Sequence, residues 1–342
     1  MASNAKGNEG GSSQLDWFRN IARFEKPTLR QTTWQIINTV IPYLALWYIM
    51  LRVMKEGYPY WITLLLAIPT GLFMVRLFIL FHDCTHWSFF SSKRANSVFG
   101  FISGILTFTP YAKWQASHWR HHATVGDLDR RGSGDFWTMT KNEYSEAPTW
   151  LKVIYRFARN PFVMFILGPI FVFLLAQRLP IRYKTKSERN NIYLTNLVII
   201  GVVVAVGYVF GFLNFLLVLL PIVFIGGMLG FWLFYIQHNF EGMNWTRREQ
   251  WDRKKASLEA CSFYKLPKVL QWFTGSIGFH HIHHLRPMIP NYLLEDCYKS
   301  EAVLQEVRPV SIGESLRSLN LHLWDEDKGS LISFRALKTS TA

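Results

Sequence analysis

The sequence is short of acid and, over long stretches, short of any charge. It sets 23 Asp and Glu against 37 Lys and Arg, a formal net charge of +14. No charged residue occurs from Asn190 to Phe240, a run of 51 residues, and Gln31 to Leu51 and Gly57 to Val75 are also uncharged. The last of these runs continues past Arg76, which is placed to snorkel toward the headgroups, as far as His82. A membrane-spanning helix takes about 20 residues, so the longest run holds two spans turned near Gly211 to Asn214. One such run is compatible with a buried soluble helix; four exclude a soluble globular chain. Cysteine is also scarce. Cys84, Cys261 and Cys297 are the only three, odd in number and without CxxC spacing, which excludes a disulfide framework and reads as reduced thiols in a cytosolic setting. The N-terminus lacks the apolar core of a cleaved signal, and its first 15 residues are expected to be disordered.

Four spans are expected, at about 32–54, 60–82, 192–211 and 213–237. Two further uncharged runs are short and broken: Ala95 to Ala112 by Gly100, Gly104 and Pro110, and Asn160 to Gln177 by Pro161, Gly168 and Pro169. Three histidine-rich stretches follow the second span, the first short run and the last span. If they share one site they lie on one side of the membrane, and an even number of crossings separates each pair. Neither short run then crosses, and both lie in the interface. Of the 37 basic residues, 34 fall in 1–31, 83–191 and 238–342, the side that carries the histidines. The positive-inside rule puts that side, with both termini, in the cytoplasm. The expected organisation is a basic arm (1–31), a membrane domain (32–237) with a cytoplasmic insertion (83–191), and a cytoplasmic C-terminal region (238–342) completing the site. The charge reads as topology and contact with anionic lipid, in part as a surface for an acidic electron carrier. No nucleic-acid motif accompanies it.

What the chain has is histidine in a pattern. His82 and His86 stand at i and i+4; His118, His121 and His122 at i, i+3 and i+4; His280, His283 and His284 repeat that spacing. These eight, of eleven in all, would project from single helix faces, each box pointing at one centre. Imidazole suits Zn, Cu, Fe and Ni, but eight exceed the four ligands of one tetrahedral zinc. They suit two metals, with His238 after the last span as a ninth ligand. Asp83, Asp127, Asp129 and Asp135 are candidates to accept the second ring N–H of a ligating histidine. His281 faces away from its neighbours, His322 is isolated, and neither is expected to ligate.

The pattern HxxxH, HxxHH, HxxHH resembles the membrane fatty-acid desaturases and their hydroxylase relatives, over about Arg23 to Phe334. Within that family, His121-His122-Ala123-Thr124, Leu128 to Trp137, Trp232 to His238 and Gly278 to Leu285 are similar to bacterial acyl-lipid desaturases, those of the Bacillus Δ5 type in particular. The resemblance implies an all-α membrane protein of the bacterial cell membrane. It has four transmembrane helices, two interfacial segments and a cytoplasmic helical cap carrying a histidine-ligated, non-haem di-iron site. The implied ligands of the two Fe ions are His82, His86, His118, His121, His122, His280, His283 and His284, with His238 as the separate one. An Asn one turn before that histidine contributes through water in animal relatives; here the position is Phe234. The His-Pro-Gly-Gly haem motif of cytochrome-fused members is absent, which implies a separate electron donor, a ferredoxin or flavodoxin.

The implied reaction uses O₂ as co-substrate and two electrons to place a cis double bond, at Δ5, in an acyl chain of a membrane phospholipid. Trp114, Trp119 and Trp137 are candidates to line the acyl channel or to anchor at the interface. The alternative within the superfamily is a hydroxylase or ketolase on the same ligands. A histidine-rich metal transporter is the alternative from another class, but it expects ionisable ligands near the midplane, where the spans hold only Arg52 and Arg76, both near ends.

Overall fold

The computed structural model describes residues 17–132, 135–181 and 184–339; the disorder expected of the first 15 residues lies outside them. Four helices are long and apolar enough to cross a membrane: α1 (Leu29–Lys55), α2 (Tyr60–Thr85), α6 (Lys186–Phe210) and α7 (Phe212–His238). Between the first and second pairs lie α3 (Lys93–Leu106), α4 (Tyr111–Thr124) and α5 (Thr149–Ala158). The boundaries follow local chemistry. Pro59 sets the extended backbone before α2, the Thr185 hydroxyl caps α6 by accepting from Glu188 N–H, and Gly211, at φ 95°, turns α6 directly into α7.

α2 is the inner helix: 56% of its most apolar stretch is buried, against 17% for α6. Small residues let α2 and α7 approach closely. A Cβ on Gly71 would stand 2.6 Å from Ile225 Cγ2, and one on Gly226 2.9 Å from Met74 Sδ. Tyr43, Met50, Met74, Leu77, Val218 and Ile222 fill the remaining space.

Neither short apolar run forms a straight span. α3 turns Val98 and Ile102 outward and buries Gly100, Ser103 and Gly104. α5 exposes Trp150, Val153, Ile154 and Phe157 as a stripe at helical spacing, the form of a helix lying in the interface. It bends by 61° into a second helical segment, Val163–Ala176. This second segment is fastened at both of its ends to histidine-bearing elements. Arg159 donates to Asn239 Oδ1 at 3.0 Å, next to His238, and Lys113 of α4 donates to the Ala176 carbonyl at 3.0 Å. The second segment therefore begins and ends beside elements that carry the histidines.

The C-terminal residues form a cap from short helices, among them α8 (Arg253–Glu259), α9 (Lys268–Phe273) and α10 (His280–Leu285). The cap is not wholly helical. β1 (Met139–Thr140) pairs in parallel with β4 (Leu323–Asp325), which pairs antiparallel with β5 (Ser330–Ile332), and β2 (Phe263–Tyr264) pairs with β3 (Pro309–Val310). These ladders tie the C-terminal region to the insertion and onto itself.

Arg76 does not snorkel. It is 3% exposed, donates to Thr39 Oγ1 at 3.0 Å and to the Trp272 carbonyl, and lies 3.9 Å over the Trp272 ring. Partners from α1 and α9 satisfy the guanidinium where it stands, so it joins the membrane helices to the cap.

Candidate metal centre

Each histidine box ends up where a helix leaves the membrane domain or enters the cap. His82 occupies the last turn of α2 and His86 caps it; His118, His121 and His122 come from α4, His238 from the end of α7, and His280, His283 and His284 from α10, which stops before Pro287. All nine are buried, none more than 8% exposed.

The nine form two clusters: His82, His86, His118, His122 and His283 in one, and His121, His238, His280 and His284 in the other. The expectation that each box points at one centre is thus corrected for the second and third boxes. At about 100° per residue, i+3 and i+4 fall on opposite sides of i. His118 and His122 go to the first cluster and His121 to the second; His280 and His284 go to the second and His283 to the first. Every cluster is therefore assembled from three helices, and neither forms without the cap.

The contacts inside the clusters are not a hydrogen-bond network. His118 Nε2 lies 2.9 Å from His82 Nε2 and 3.0 Å from His122 Nε2, and His122 Nε2 lies 3.0 Å from His283 Nε2. In the second cluster His238 Nε2 lies 2.9 Å from both His121 Nε2 and His280 Nε2. A ring nitrogen carries one lone pair or one hydrogen, so it cannot serve two such neighbours. Converging on a shared cation, they can. Imidazole–metal bonds of about 2.1 Å place the nitrogens of neighbouring ligands about 3.0 to 3.4 Å apart, so contacts of this length suit nitrogens that share a cation.

Around the clusters, two of the four candidate carboxylates meet ring nitrogens. Asp135 stands 2.7 Å from His121 Nδ1 and Asp83 stands 3.3 Å from His82 Nδ1. Burial pushes the Asp135 carboxyl up, but His121 and His238 outweigh it and hold the group below the usual carboxylate range. Asp127 instead pairs with Arg130 at 2.6 Å, and Asp129 with Arg247 at 2.5 Å. Asp83 has a partner that sequence spacing does not reveal, Asn291, whose backbone and side-chain N–H groups donate to it at 2.7 and 2.8 Å. Burial drives His118, His122, His280, His283 and His284 well below the ordinary histidine range, and neighbouring imidazoles push the same way. They are neutral, as ligands must be.

His281 and His322 belong to neither cluster; His322 stacks on Phe334 at 4.3 Å. Phe234 places its ring 5.4 Å from His121 and 5.6 Å from His238, so this position contributes apolar surface and no donor atom. Trp114 stacks on His118 at 4.2 Å and belongs to the wall of the first cluster. Trp119 and Trp137 reach the surface at 39% and 42% exposure.

The family model for fatty acid desaturases matches residues 59–311, which include all nine histidines. The chain is 47% identical over 320 residues to a fatty acid desaturase of Bacillus subtilis, covering 94% of this chain and 90% of that one. It is 25% identical over 277 residues to an sn-1 acyl-lipid omega-3 desaturase (ferredoxin) of Nostoc, covering 77% and 72%. It is 23% identical over 256 residues to an sn-1 oleoyl-lipid 12-desaturase of Picosynechococcus, covering 71% and 70%. With its four apolar helices and its histidine clusters able to hold metal, the chain is an integral membrane protein that belongs to the fatty acid desaturase family of oxidoreductases.

Proposed function

We propose that this protein is an acyl-lipid desaturase that places a cis double bond in a saturated acyl chain at a di-iron centre. The observation that carries the reading is the pair of imidazole clusters whose Nε2 contacts exceed what hydrogen bonding can satisfy. His82, His86, His118, His122 and His283 would hold one iron, and His121, His238, His280 and His284 the other. Two bound irons would supply, with O₂ and two electrons, the oxidant that an unactivated C–H bond requires. The overall change takes one hydrogen from each of two adjacent carbons, and O₂ with two electrons and two protons leaves as two waters.

The chain's own residues prepare that chemistry. Trp114, Phe234 and the buried helix ends exclude water from the clusters, and Asp135 and Asp83 fix the rings of His121 and His82. How the acyl chain is held against the clusters sets which carbons react. Resemblance to Bacillus-type enzymes favours Δ5 and a phospholipid acyl chain. The basic asymmetry of the loops supports a cytoplasmic active site and termini in a bacterial membrane, with 1–31 as an arm, 83–191 as an insertion and 238–342 completing the centre. Electrons come from a separate carrier, a ferredoxin or flavodoxin; the Nostoc relative's name specifies a ferredoxin.

The test is the fatty-acid profile of a bacterial host expressing the wild type or His118→Ala, with double bonds located by mass spectrometry of derivatised esters. New cis unsaturation with the wild type alone is the expected result. Chains carrying ¹⁸O from ¹⁸O₂ would make the protein a hydroxylase or ketolase. No new product from a chain shown to hold iron and receive electrons rejects an acyl substrate.

A further inference from the structure

Two tryptophans adjoin the five-histidine cluster along the chain, and one of them reaches the surface. Trp87 and Trp119 each directly follow a histidine of that cluster, His86 and His118. Their rings meet edge to face at 4.7 Å. The Trp119 indole N–H donates to the Thr85 carbonyl at 2.9 Å, one peptide before His86, while its ring remains 39% exposed.

Trp87 holds its place against a backbone cost. Ser88 N–H bonds the Asp83 carbonyl and Trp87 N–H the Cys84 carbonyl, both at 3.1 Å, which is the helix-ending motif whose left-handed position glycine normally fills. Here a tryptophan occupies it at φ 57°, an outlier for a bulky residue. The other exposed tryptophans among the described residues, Trp34, Trp61, Trp137, Trp150 and Trp272, follow no cluster histidine.

The surroundings are cationic. Lys93 Nζ lies 4.4 Å over the Trp87 ring; Arg94 is exposed beside it in the chain, and Arg120 follows Trp119. Among the described residues none of the three has an acidic partner. A membrane anchor needs an amphipathic ring, but it does not need two rings in contact, each one peptide from a ligand of a redox centre.

We propose that the Trp87–Trp119 pair, with Lys93, Arg94 and Arg120, is where an acidic one-electron carrier protein docks and passes electrons to the five-histidine cluster. The inference rests on the metal reading above. Each encounter oxidises the carrier by one electron and reduces the iron centre by one, so two encounters supply one turnover; the indoles bridge the transfer and are not consumed.

The test is anaerobic stopped-flow reduction of the iron-loaded full chain in neutral phosphatidylcholine nanodiscs. A reduced acidic [2Fe–2S] ferredoxin is one reductant, and dithionite with a viologen mediator the other. The variants are Trp119→Leu; Trp87→Gly, which suits the left-handed backbone; and Lys93→Glu with Arg94→Glu. With iron content unchanged, each is expected to slow ferredoxin-driven reduction by about tenfold, within the range that interface changes produce in association rates. Viologen-driven reduction should stay at the wild-type rate. The charge reversal should also flatten the salt dependence.

Unchanged ferredoxin rates in iron-replete variants overturn the proposal and leave the pair an interfacial anchor. Equal slowing with both reductants overturns it in favour of a structural role. A wild type reduced by viologen but not by ferredoxin rejects the acidic carrier. A wild type that binds no iron rejects the metal reading itself, which is a separate failure.

Discussion

Asp135 stands 2.7 Å from Nδ1 of His121, and His121 is the one α4 histidine that serves the four-histidine cluster. The carboxylate orients the ring and raises its basicity as a ligand. Asp135→Asn keeps the shape and removes the charge. It should weaken metal binding at that cluster by about 10- to 100-fold while sparing the other, measured by competitive titration with a metal-binding dye. Equal loss from both clusters would contradict this.

Asn291 supports the other cluster from a distance of 208 residues in sequence. It donates twice to Asp83 and accepts from Gln35 Nε2 at 3.0 Å. Asn291→Ala removes one donor from a buried carboxylate, a loss of about 1–3 kcal/mol, and frees Asp83 to drift from His82. A lower melting temperature should accompany lower metal occupancy of the five-histidine cluster. An unchanged melt would show that the bond is replaceable.

Gly126, just past α4, packs against the cap at φ +74°, and a Cβ there would stand 2.9 Å from the Cβ of Ala256 on α8 and 3.1 Å from that of Ala260, which ends it. α8 packs on α10, which carries the third box. Gly126→Ala should destabilise the protein by about 1–3 kcal/mol through overpacking and a disfavoured backbone, seen as a fall in melting temperature. No fall would mean that α8 shifts freely.

The neutral histidines make the metal-free protein acid-sensitive. Burial, then neighbouring imidazoles, depresses His118, His122, His280, His283 and His284 in the fold, while unfolded histidines titrate near 6.5. The unfolded state binds more protons below about pH 6.5, so stability is full above that pH and falls as pH drops. Melting temperatures of the metal-free chain should hold from about pH 8 to 7 and decline toward about pH 5. A rise on acidification would contradict neutral clusters.

Much of this was legible because membrane spans and histidine spacing are local signals. The uncharged runs located α1, α2, α6 and α7, and the Gly and Pro breaks in the two shorter runs marked them as something other than straight spans. What could not be read depends on how helices are rotated against one another. The i, i+3, i+4 spacing says that His118, His121 and His122 share a face, but only the packing of α4 between α2 and α10 sends His121 to a different cluster from its neighbours. Arg76 looked like a snorkelling residue because its partners, Thr39 and the Trp272 carbonyl, are 37 and 196 residues away. Asn291 was missed for the same reason. Asp127 and Asp129, near in sequence, were drawn to Arg130 and Arg247, which the chain alone gave no reason to prefer.

The most direct test of the central claim is iron per folded chain, measured by mass spectrometry and Mössbauer spectroscopy on wild type, His283→Ala and His284→Ala. These adjacent residues serve different clusters. The expected result is close to two irons in the wild type, in two distinguishable environments, with each variant depleting a different one. One iron per chain, or the same environment lost in both variants, would contradict a centre built from two separate histidine clusters.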